Sequence, residues 1–115
     1  MKSLSEEQIQ SAILHYLWSI GYPAFPVSNR PLYDPKSARY IRREADSVDG
    51  VPDIVCPCRD GATVYFEVKS AVGKLRESQR LYLLRLELMG HKLSVVRSVD
   101  EVRVKLSAWG LGRER

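Results

Sequence analysis

Apolar residues recur at helical spacing in three parts of the chain, each bounded by residues that start or stop helices. In the first part the apolar face is formed by Ile9, Ile13, Leu17 and Ile20. Ser3 or Ser5 can cap this helix at its start, and Gly21 is a suitable end. Ser5 with Gln8 three residues later also matches the capping box. The pattern therefore predicts an amphipathic helix that ends before Gly21.

Two further helices are predicted in the C-terminal half. One runs from about Leu75 to Met89 and stops at Gly90, and its core stripe is predicted at Leu75, Leu81, Leu84 and Leu88. The other follows a capping box formed by Ser98 and Glu101, and its inner edge is predicted at Val102, Leu106 and Trp109. The residues from 110 to 115 are predicted to be a frayed tail.

Alternating apolar and polar residues predict a hairpin in the middle of the chain. One strand begins at Gly50, the other covers 63–69, and Asp60 with Gly61 between them is a strong turn signal. One face of the second strand carries Val64, Phe66 and Val68, and the other carries Tyr65, Glu67 and Lys69. A third strand is predicted over 92–97. Because a helix connects it to the hairpin, this strand should run parallel to the second one.

The segment between the first helix and the hairpin is interrupted by prolines. It contains short β-like pieces at 24–29 and 39–44 on either side of a basic loop. A segment this long without regular structure is more often functional than idle. The order of helices and strands predicts an α/β fold with a central mixed β-sheet flanked by α-helices. Residues 1–115 are expected to form a single domain.

The composition is that of an ordinary globular protein with a basic balance. The net charge of +4 and the pI near 9.2 favour a polyanionic partner such as nucleic acid without requiring one. Neither a signal peptide nor a membrane span is evident, so a cytoplasmic location is expected. Cys56 and Cys58 are too close for a comfortable disulfide and lack a nearby histidine for zinc, so we interpret them as small apolar strand residues.

Candidate chemistry is concentrated on the hairpin. Asp53 on the first strand and Glu67 on the second could hold one hard divalent cation through carboxylate oxygens. Lys69 shares the face of Glu67 and could activate a water as a base or orient it as a charged group. The spacing alone is also typical of a solvated strand face with an ion pair, so the neighbouring residues must decide.

Two helical residues are candidates for the same site. Glu6 shares the inward face of the first helix with Ile9, whereas Glu7 is rotated away from it, so Glu6 is the preferred acid. A carboxylate at this position can also serve simply to stabilise the helix dipole. Gln79 lies in the first turns of the second helix, near enough to the Glu67 strand to reach a site there, although a lone helical glutamine is usually exposed.

Basic residues with interleaved tyrosines indicate a candidate surface for phosphates and stacked bases. The basic set is Arg30, Lys36, Arg39, Arg42 and Arg43, with Tyr33 and Tyr40 among them. Lys74, in the turn after the hairpin, is a further candidate for DNA contact. An ordinary solvated loop is the alternative for the proline-rich part.

Taken in order, these residues resemble the VRR-NUC branch of the PD-(D/E)XK nuclease superfamily. The resemblance spans about residues 5–102 and is carried by an opening Glu-Glu-Gln-Ile-Gln helix and by four motifs, Gly50-Val51-Pro52-Asp53, Glu67-Val68-Lys69, Gly73-Lys74-Leu75 with Gln79, and Val95-Val96-Arg97-Ser98. It implies a restriction-endonuclease-like core, and hydrolysis of DNA phosphodiester bonds with Mg²⁺ or Mn²⁺.

The resemblance also implies roles for individual residues. Asp53 and Glu67 would be metal ligands, with an oxygen from the Val68 carbonyl, and Glu6 would complete the acidic shell. Lys69 would position or help activate the water, and Gln79 would support the site.

Single-domain members of this branch look like phage or bacterial proteins that pair into homodimers and cut branched DNA such as Holliday junctions or flaps. The resemblance thus predicts a structure-selective deoxyribonuclease in a bacterial or phage-infected cell. Candidate apolar contact surfaces for a dimer are Tyr82, Leu83 and Trp109. The alternatives are a DNA-binding module without the chemistry and a nuclease subunit that is inactive without a partner.

Overall fold

The computed structural model describes residues 3–27, 32–41 and 49–113. Its first helix, α1, spans Glu6–Ser19. The Ser5 hydroxyl accepts a hydrogen bond from the Gln8 N–H, and the Gln8 side chain accepts one from the Ser5 N–H, so the predicted capping box is confirmed. Three residues of the predicted stripe are fully or almost fully buried, namely Ile9, Ile13 and Leu17.

The strands form a mixed sheet and a separate small ribbon. In chain order they are β1 (Phe25–Pro26), β2 (Leu32–Asp34), β3 (Arg39–Ile41), β4 (Ile54–Pro57), β5 (Thr63–Val68) and β6 (Lys92–Val96). The main sheet has the order β1-β4-β5-β6, whereas β2 and β3 pair only with each other among the described residues. Both predicted β-like pieces of the proline-rich segment extend beyond the described residues, at 28–29 and 42–44.

The central hairpin and the crossover that follows it are confirmed, except that β4 begins at Ile54 instead of Gly50 and β5 ends at Val68. β4 and β5 pair antiparallel around a tight turn in which Asp60 and Gly61 both have positive φ, at 61° and 73°. The chain then passes through α2 (Glu77–Leu88) into β6, which pairs parallel to β5. The last helix, α3, spans Val99–Ala108 and is capped by the Ser98 hydroxyl, which accepts from the Glu101 N–H.

One face of the main sheet forms the hydrophobic core. Alternate residues of the strands point to this face, and α1 and α3 cover it, so the core contains Ile54, Val64, Phe66, Val68, Val96, Val102 and Leu106. Trp109 is half-buried against Phe66, with ring centroids 5.9 Å apart. Cys56 is buried in the core and Cys58 half-buried beside it, with their sulfurs 3.7 Å apart as free thiols.

The predicted core stripe of α2 is wrong. The buried residues of this helix are Gln79, Leu83 and Leu86, whereas Leu81, Leu84 and Leu88 are 49%, 47% and 78% exposed. Leu75, before the helix, is half-buried. Leucines occur all around α2, so their spacing cannot select one face. Leu83 is consequently unsuited to the surface role predicted for it.

The predicted fraying of the C-terminal residues is also wrong as far as Leu111. The Leu111 N–H donates to the Leu106 carbonyl at 2.7 Å, and its side chain is 6% exposed. The Tyr22 hydroxyl donates to the Leu111 carbonyl at 2.6 Å. These contacts attach the end of α3 to the turn that follows α1. In the part of the chain described, no helix has the length and apolar character needed to cross a membrane.

Candidate functional site

Asp53 and Glu67 are neighbours across the hairpin, on the sheet face opposite to the core. Ile54 is paired with Phe66, so Asp53, one residue earlier, lies opposite Glu67. The Asp53 Oδ2 accepts a hydrogen bond of 2.7 Å from the Val68 N–H at the end of β5. The two acids proposed from the sequence are therefore adjacent. The contribution of the Val68 carbonyl stays a prediction.

Glu67 is completely buried and only partly satisfied. Its Oε2 accepts a hydrogen bond from Gln79 Nε2 at 3.2 Å, while its Oε1 is buried without a hydrogen-bond partner among the described residues. Buried polar atoms are normally paired, because an unpaired one loses its water without compensation. When both carboxyls are ionised, the unpaired Glu67 oxygen beside Asp53 is the arrangement that a hard cation with oxygen ligands would complete.

The surroundings of Glu67 disfavour its ionised form. Burial first, and the adjacent Asp53 carboxyl second, raise the pKa of Glu67 to about 8, although the Lys69 ammonium acts in the opposite direction. In the protein without a cation, Glu67 therefore holds its proton around neutral pH. A cation held between the two carboxylates would favour the ionised form of Glu67 and release this proton.

Lys69 and Gln79 occupy the places expected of them. The Lys69 Nζ lies 3.6 Å from Glu67 Oε2 and the side chain is 7% exposed, so the two groups are in buried contact, and this contact is an ion pair when Glu67 is ionised. Gln79 is 6% exposed, and its Oε1 accepts from the Arg76 N–H at 2.9 Å while its Nε2 donates to Glu67. Gln79 thus connects the first turn of α2 to the buried acid.

Glu6 does not form one ligand group with Asp53 and Glu67. Glu6 is exposed in the first turn of α1, with its carboxylate beside the turn at Gly73, where a Cβ would lie 3.4 Å from Glu6 Oε2. Within residues 3–27, 32–41 and 49–113, no group of three or more His, Cys, Asp or Glu side chains is placed to hold a metal ion. Among the described residues, Asp53 and Glu67 are therefore the two acids that could share a cation. Their role as metal ligands stays a prediction, and so does a direct metal contact by Glu6.

Gly50 packs directly against the start of α2. It has a φ of +85°, and a Cβ built on it would lie 2.3 Å from the carbonyl oxygen of Ser78 and 2.9 Å from the N of Gln79. Glycine permits this backbone contact because it has no Cβ. The contact holds the segment that leads to Asp53 against the helix that carries Gln79.

Arg97 has a structural role that the sequence did not indicate. Its Nη1 donates to the Gly73 carbonyl at 2.8 Å and also to the Ser70 carbonyl. The backbone next to Arg97 contributes as well, because the Lys69 N–H donates a hydrogen bond of 3.0 Å to the Val96 carbonyl. Arg97 therefore clamps the turn that follows Lys69. Because these acceptors are main-chain carbonyls in a turn, no motif or spacing identifies them.

Replacing Arg97 with methionine is expected to destabilise the protein by about 2 kcal/mol, because it removes charge-assisted hydrogen bonds to carbonyls and leaves the latter unpaired. Urea unfolding followed by circular dichroism measures the change. Arg103→Met is the control, since Arg103 is exposed and, among the residues that the structure describes, pairs only with Asp100 of the same helix. That variant should lose at most about 0.5 kcal/mol. Equal losses in the two variants would show that the clamp contributes nothing.

Most of the predicted nucleic-acid surface lies outside the described residues. This applies to Arg30, Arg42 and Arg43 and to the side chain of Arg39, whose backbone belongs to β3. Lys74 is exposed in the turn between β5 and α2, on the same connection as the Arg97 clamp. The contact of these residues with DNA stays a prediction.

Comparisons with known proteins agree with this architecture. No family model and no curated protein matches the chain. A solved structure described as a VRR_NUC domain matches with a TM-score of 0.63 at 20% identity, covering 91% of this chain and 97% of the other. A second, described as a VRR_NUC domain protein, matches with a TM-score of 0.69 at 16% identity, covering 96% and 93%. The chain therefore has the VRR-NUC domain fold, a PD-(D/E)XK-like arrangement of mixed sheet and helices.

Proposed function

We propose that the protein is a metal-dependent deoxyribonuclease that hydrolyses phosphodiester bonds in branched DNA such as Holliday junctions or flaps. The observation that carries the proposal is the fully buried Glu67, with one unpaired oxygen beside Asp53 and with Lys69 3.6 Å away. A buried, incompletely satisfied acid costs stability, and such costs are concentrated at functional sites. The VRR-NUC fold supports this assignment at the level of analogy.

Each residue of the site has a definable task in such a hydrolysis. Asp53 and Glu67 would hold Mg²⁺ or Mn²⁺ through their carboxylate oxygens, and Gln79 keeps Glu67 in place by its hydrogen bond. A bound cation would supply a water of lowered pKa and a positive charge for the scissile phosphate. Lys69, held beside Glu67, would orient the attacking water or take its proton.

The test is a cleavage assay over four-way junctions, flaps, single strands and duplexes with Mg²⁺, with Mn²⁺ and with a chelator. We expect metal-dependent cutting of one or more branched substrates by the wild-type protein and none by Asp53→Asn. Asparagine keeps an oxygen that can accept from the Val68 N–H, so this variant should stay folded and still bind DNA. If the wild-type protein binds these DNAs but cuts none of them with either metal, the nuclease proposal is wrong. The protein is then a DNA-binding module or a nuclease subunit that is inactive without a partner.

A homodimer is the second part of the proposal, and the exposed side of α2 supports it. This outer stripe is Leu81, Leu84 and Leu88, three large apolar residues on one helix. Two such helices crossing antiparallel near Leu84 would place Leu81 of each copy beside Leu88 of the other, so the outer stripe is complementary to itself. A two-fold dimer would present two sites to a symmetric junction.

Leu84→Glu is expected to shift the protein from dimer to monomer, because it places two charges at the centre of an apolar contact. Sedimentation velocity over a range of protein concentrations measures the change. Val104→Glu is the matched control, since Val104 is 66% exposed on α3 and should leave the dimer intact. A wild-type protein that sediments as a monomer at all concentrations would refute the dimer without affecting the assignment of the nuclease site.

A further inference from the structure

An apolar cavity opens between the N-terminal ends of α1 and α3. Its volume is about 380 Å³, within the range of ligand pockets. Most of the wall is aliphatic and comes from Leu4, Ile9, Ala12, Ala71 and Val99, with Arg97 among them. Leu4 is 56% exposed at the edge of this cavity. Ile9 belongs to the core, whereas Leu4, Ala12 and Ala71 are exposed, so this part of the apolar wall is not needed to cover the sheet.

The cavity adjoins the candidate site through the turn after β5. Ala71 in its wall is only two residues beyond Lys69, so their Cα atoms lie at most about 7 Å apart. Arg97 belongs to both places, because it lines the cavity and clamps the turn through the Ser70 and Gly73 carbonyls. The cavity and the candidate site therefore share the turn at 70–73, and this shared turn is the geometric basis for placing a neighbouring nucleotide of a bound strand at the cavity.

The charge of the cavity fits such a nucleotide. Arg97 uses Nη1 for the carbonyls of the turn, and its Nε and Nη2 have no acceptor in the part of the chain that is described. A guanidinium with free N–H donors can bind a phosphate, and the aliphatic wall beside it can contact the flat face of a base. A nucleotide carries both groups next to each other. Asp100 also lines the cavity, but its carboxylate is paired with Arg103.

We propose that this cavity is a subsite for one unstacked nucleotide of the substrate strand, next to the scissile phosphate. The base occupies the aliphatic wall, and Arg97 binds the adjoining phosphate. The proposal rests on the proposed nuclease function and narrows its substrate, because a base can enter the cavity only where it is unpaired. Flaps, single-stranded ends and branch points supply unpaired bases at the cut, whereas continuous duplex requires a base to be extruded at a cost of a few kcal/mol.

The first experiment is an abasic scan of the preferred substrate. A single abasic residue is moved one position at a time across the scissile bond, and cleavage rates are measured with Mg²⁺. For the wild-type protein we expect cleavage to be about tenfold slower when the abasic residue is at one position next to the bond, and little change elsewhere, because only one base is buried there.

Ala12→Phe, which fills the cavity from an exposed helical position, should cut the intact substrate about tenfold more slowly and should be insensitive to the abasic residue. Ser11→Phe is the matched control, being exposed on the same helix but outside the cavity wall, and it should behave like the wild type.

The second experiment does not depend on cleavage. Oligonucleotides with 2-aminopurine at each position around the junction are bound to the protein in the presence of a chelator, and fluorescence is recorded. An unstacked 2-aminopurine in the cavity should brighten at one position next to the branch point, and this increase should disappear in Ala12→Phe but not in Ser11→Phe. Fluorescence that stays unchanged at every position would overturn the subsite.

The combined outcomes separate the two proposals. Brightening that Ala12→Phe abolishes, without any cleavage, would leave the cavity as a binding site for one unstacked nucleotide and would overturn the nuclease function. Cleavage with a flat abasic scan, or an Ala12→Phe variant as active and as sensitive to the abasic residue as the wild type, would overturn the subsite alone.

Discussion

Glu67→Gln is expected to abolish DNA cleavage, with a loss of at least about a thousandfold in rate. The substitution removes one of the two adjacent carboxylates, and the charge stabilisation provided through a metal ligand is worth several kcal/mol, or about 4 kcal/mol for this factor. Glutamine preserves the volume and can still accept a hydrogen bond from Gln79, so the fold should be retained. Glu87→Gln, the same change at an exposed position of α2, is the matched control and should cleave like the wild type.

The same variant should alter the pH dependence of stability in a defined direction. The folded-state pKa of Glu67, about 8, lies above its ordinary value of 4.5, so the folded state retains a proton that the unfolded state has lost between these pH values. The stability that the protonated acid contributes is therefore complete below pH 4.5 and is lost as the pH rises to about 8. Glutamine cannot ionise and does not undergo this loss.

Thermal unfolding without metal tests this point. The melting temperature of Glu67→Gln relative to the wild type should rise by several degrees between pH 5 and pH 9, whereas Glu87→Gln should follow the wild type at both pH values. If the difference in melting temperature between Glu67→Gln and the wild type did not change with pH, the pKa of Glu67 in the folded protein would not be raised.

Gly50→Ala is expected to destabilise the protein by about 3 kcal/mol and to lower cleavage at least about a hundredfold. The Cβ would overlap the Ser78 carbonyl oxygen, 2.3 Å away, and backbone atoms at the start of a helix cannot move aside cheaply. The segment leading to Asp53 and the helix carrying Gln79 would have to separate. The site would therefore lose its geometry as well as its stability.

Gly90→Ala isolates the effect of this contact. Gly90 has a similar φ of +91° but nothing within 4 Å of the position of a Cβ, so alanine there should cost only the left-handed conformation, about 1 kcal/mol, and should leave cleavage unchanged. Urea unfolding and the cleavage assay are carried out on both variants. Similar losses of stability would show that the conformation of Gly50, and not its contact with α2, is what requires glycine.

Local patterns predicted the elements of the fold well. The stripe and capping box of α1 and the Asp60-Gly61 turn are short-range signals, and the structure confirms each of them. The buried face of α2 could not be predicted, because leucines occupy several sides of that helix and only its position on the sheet selects Leu83 and Leu86 for burial. The anchored end at Leu111 was missed because its partners, Tyr22 and Leu106, are contacts set by packing.

The candidate site likewise has features that the sequence predicts and features that only the tertiary structure shows. The sequence by itself determined that Glu67 and Lys69 share one face of a strand, because side chains alternate with a period of two, and it predicted Asp53 within the neighbouring strand, which in the structure begins only at Ile54. Only the tertiary structure decided that Asp53 lies opposite Glu67, that Gln79 reaches Glu67, and that Arg97 clamps the turn after Lys69. Register, burial and contacts between distant segments arise when the helices pack on the sheet, so no local pattern encodes them.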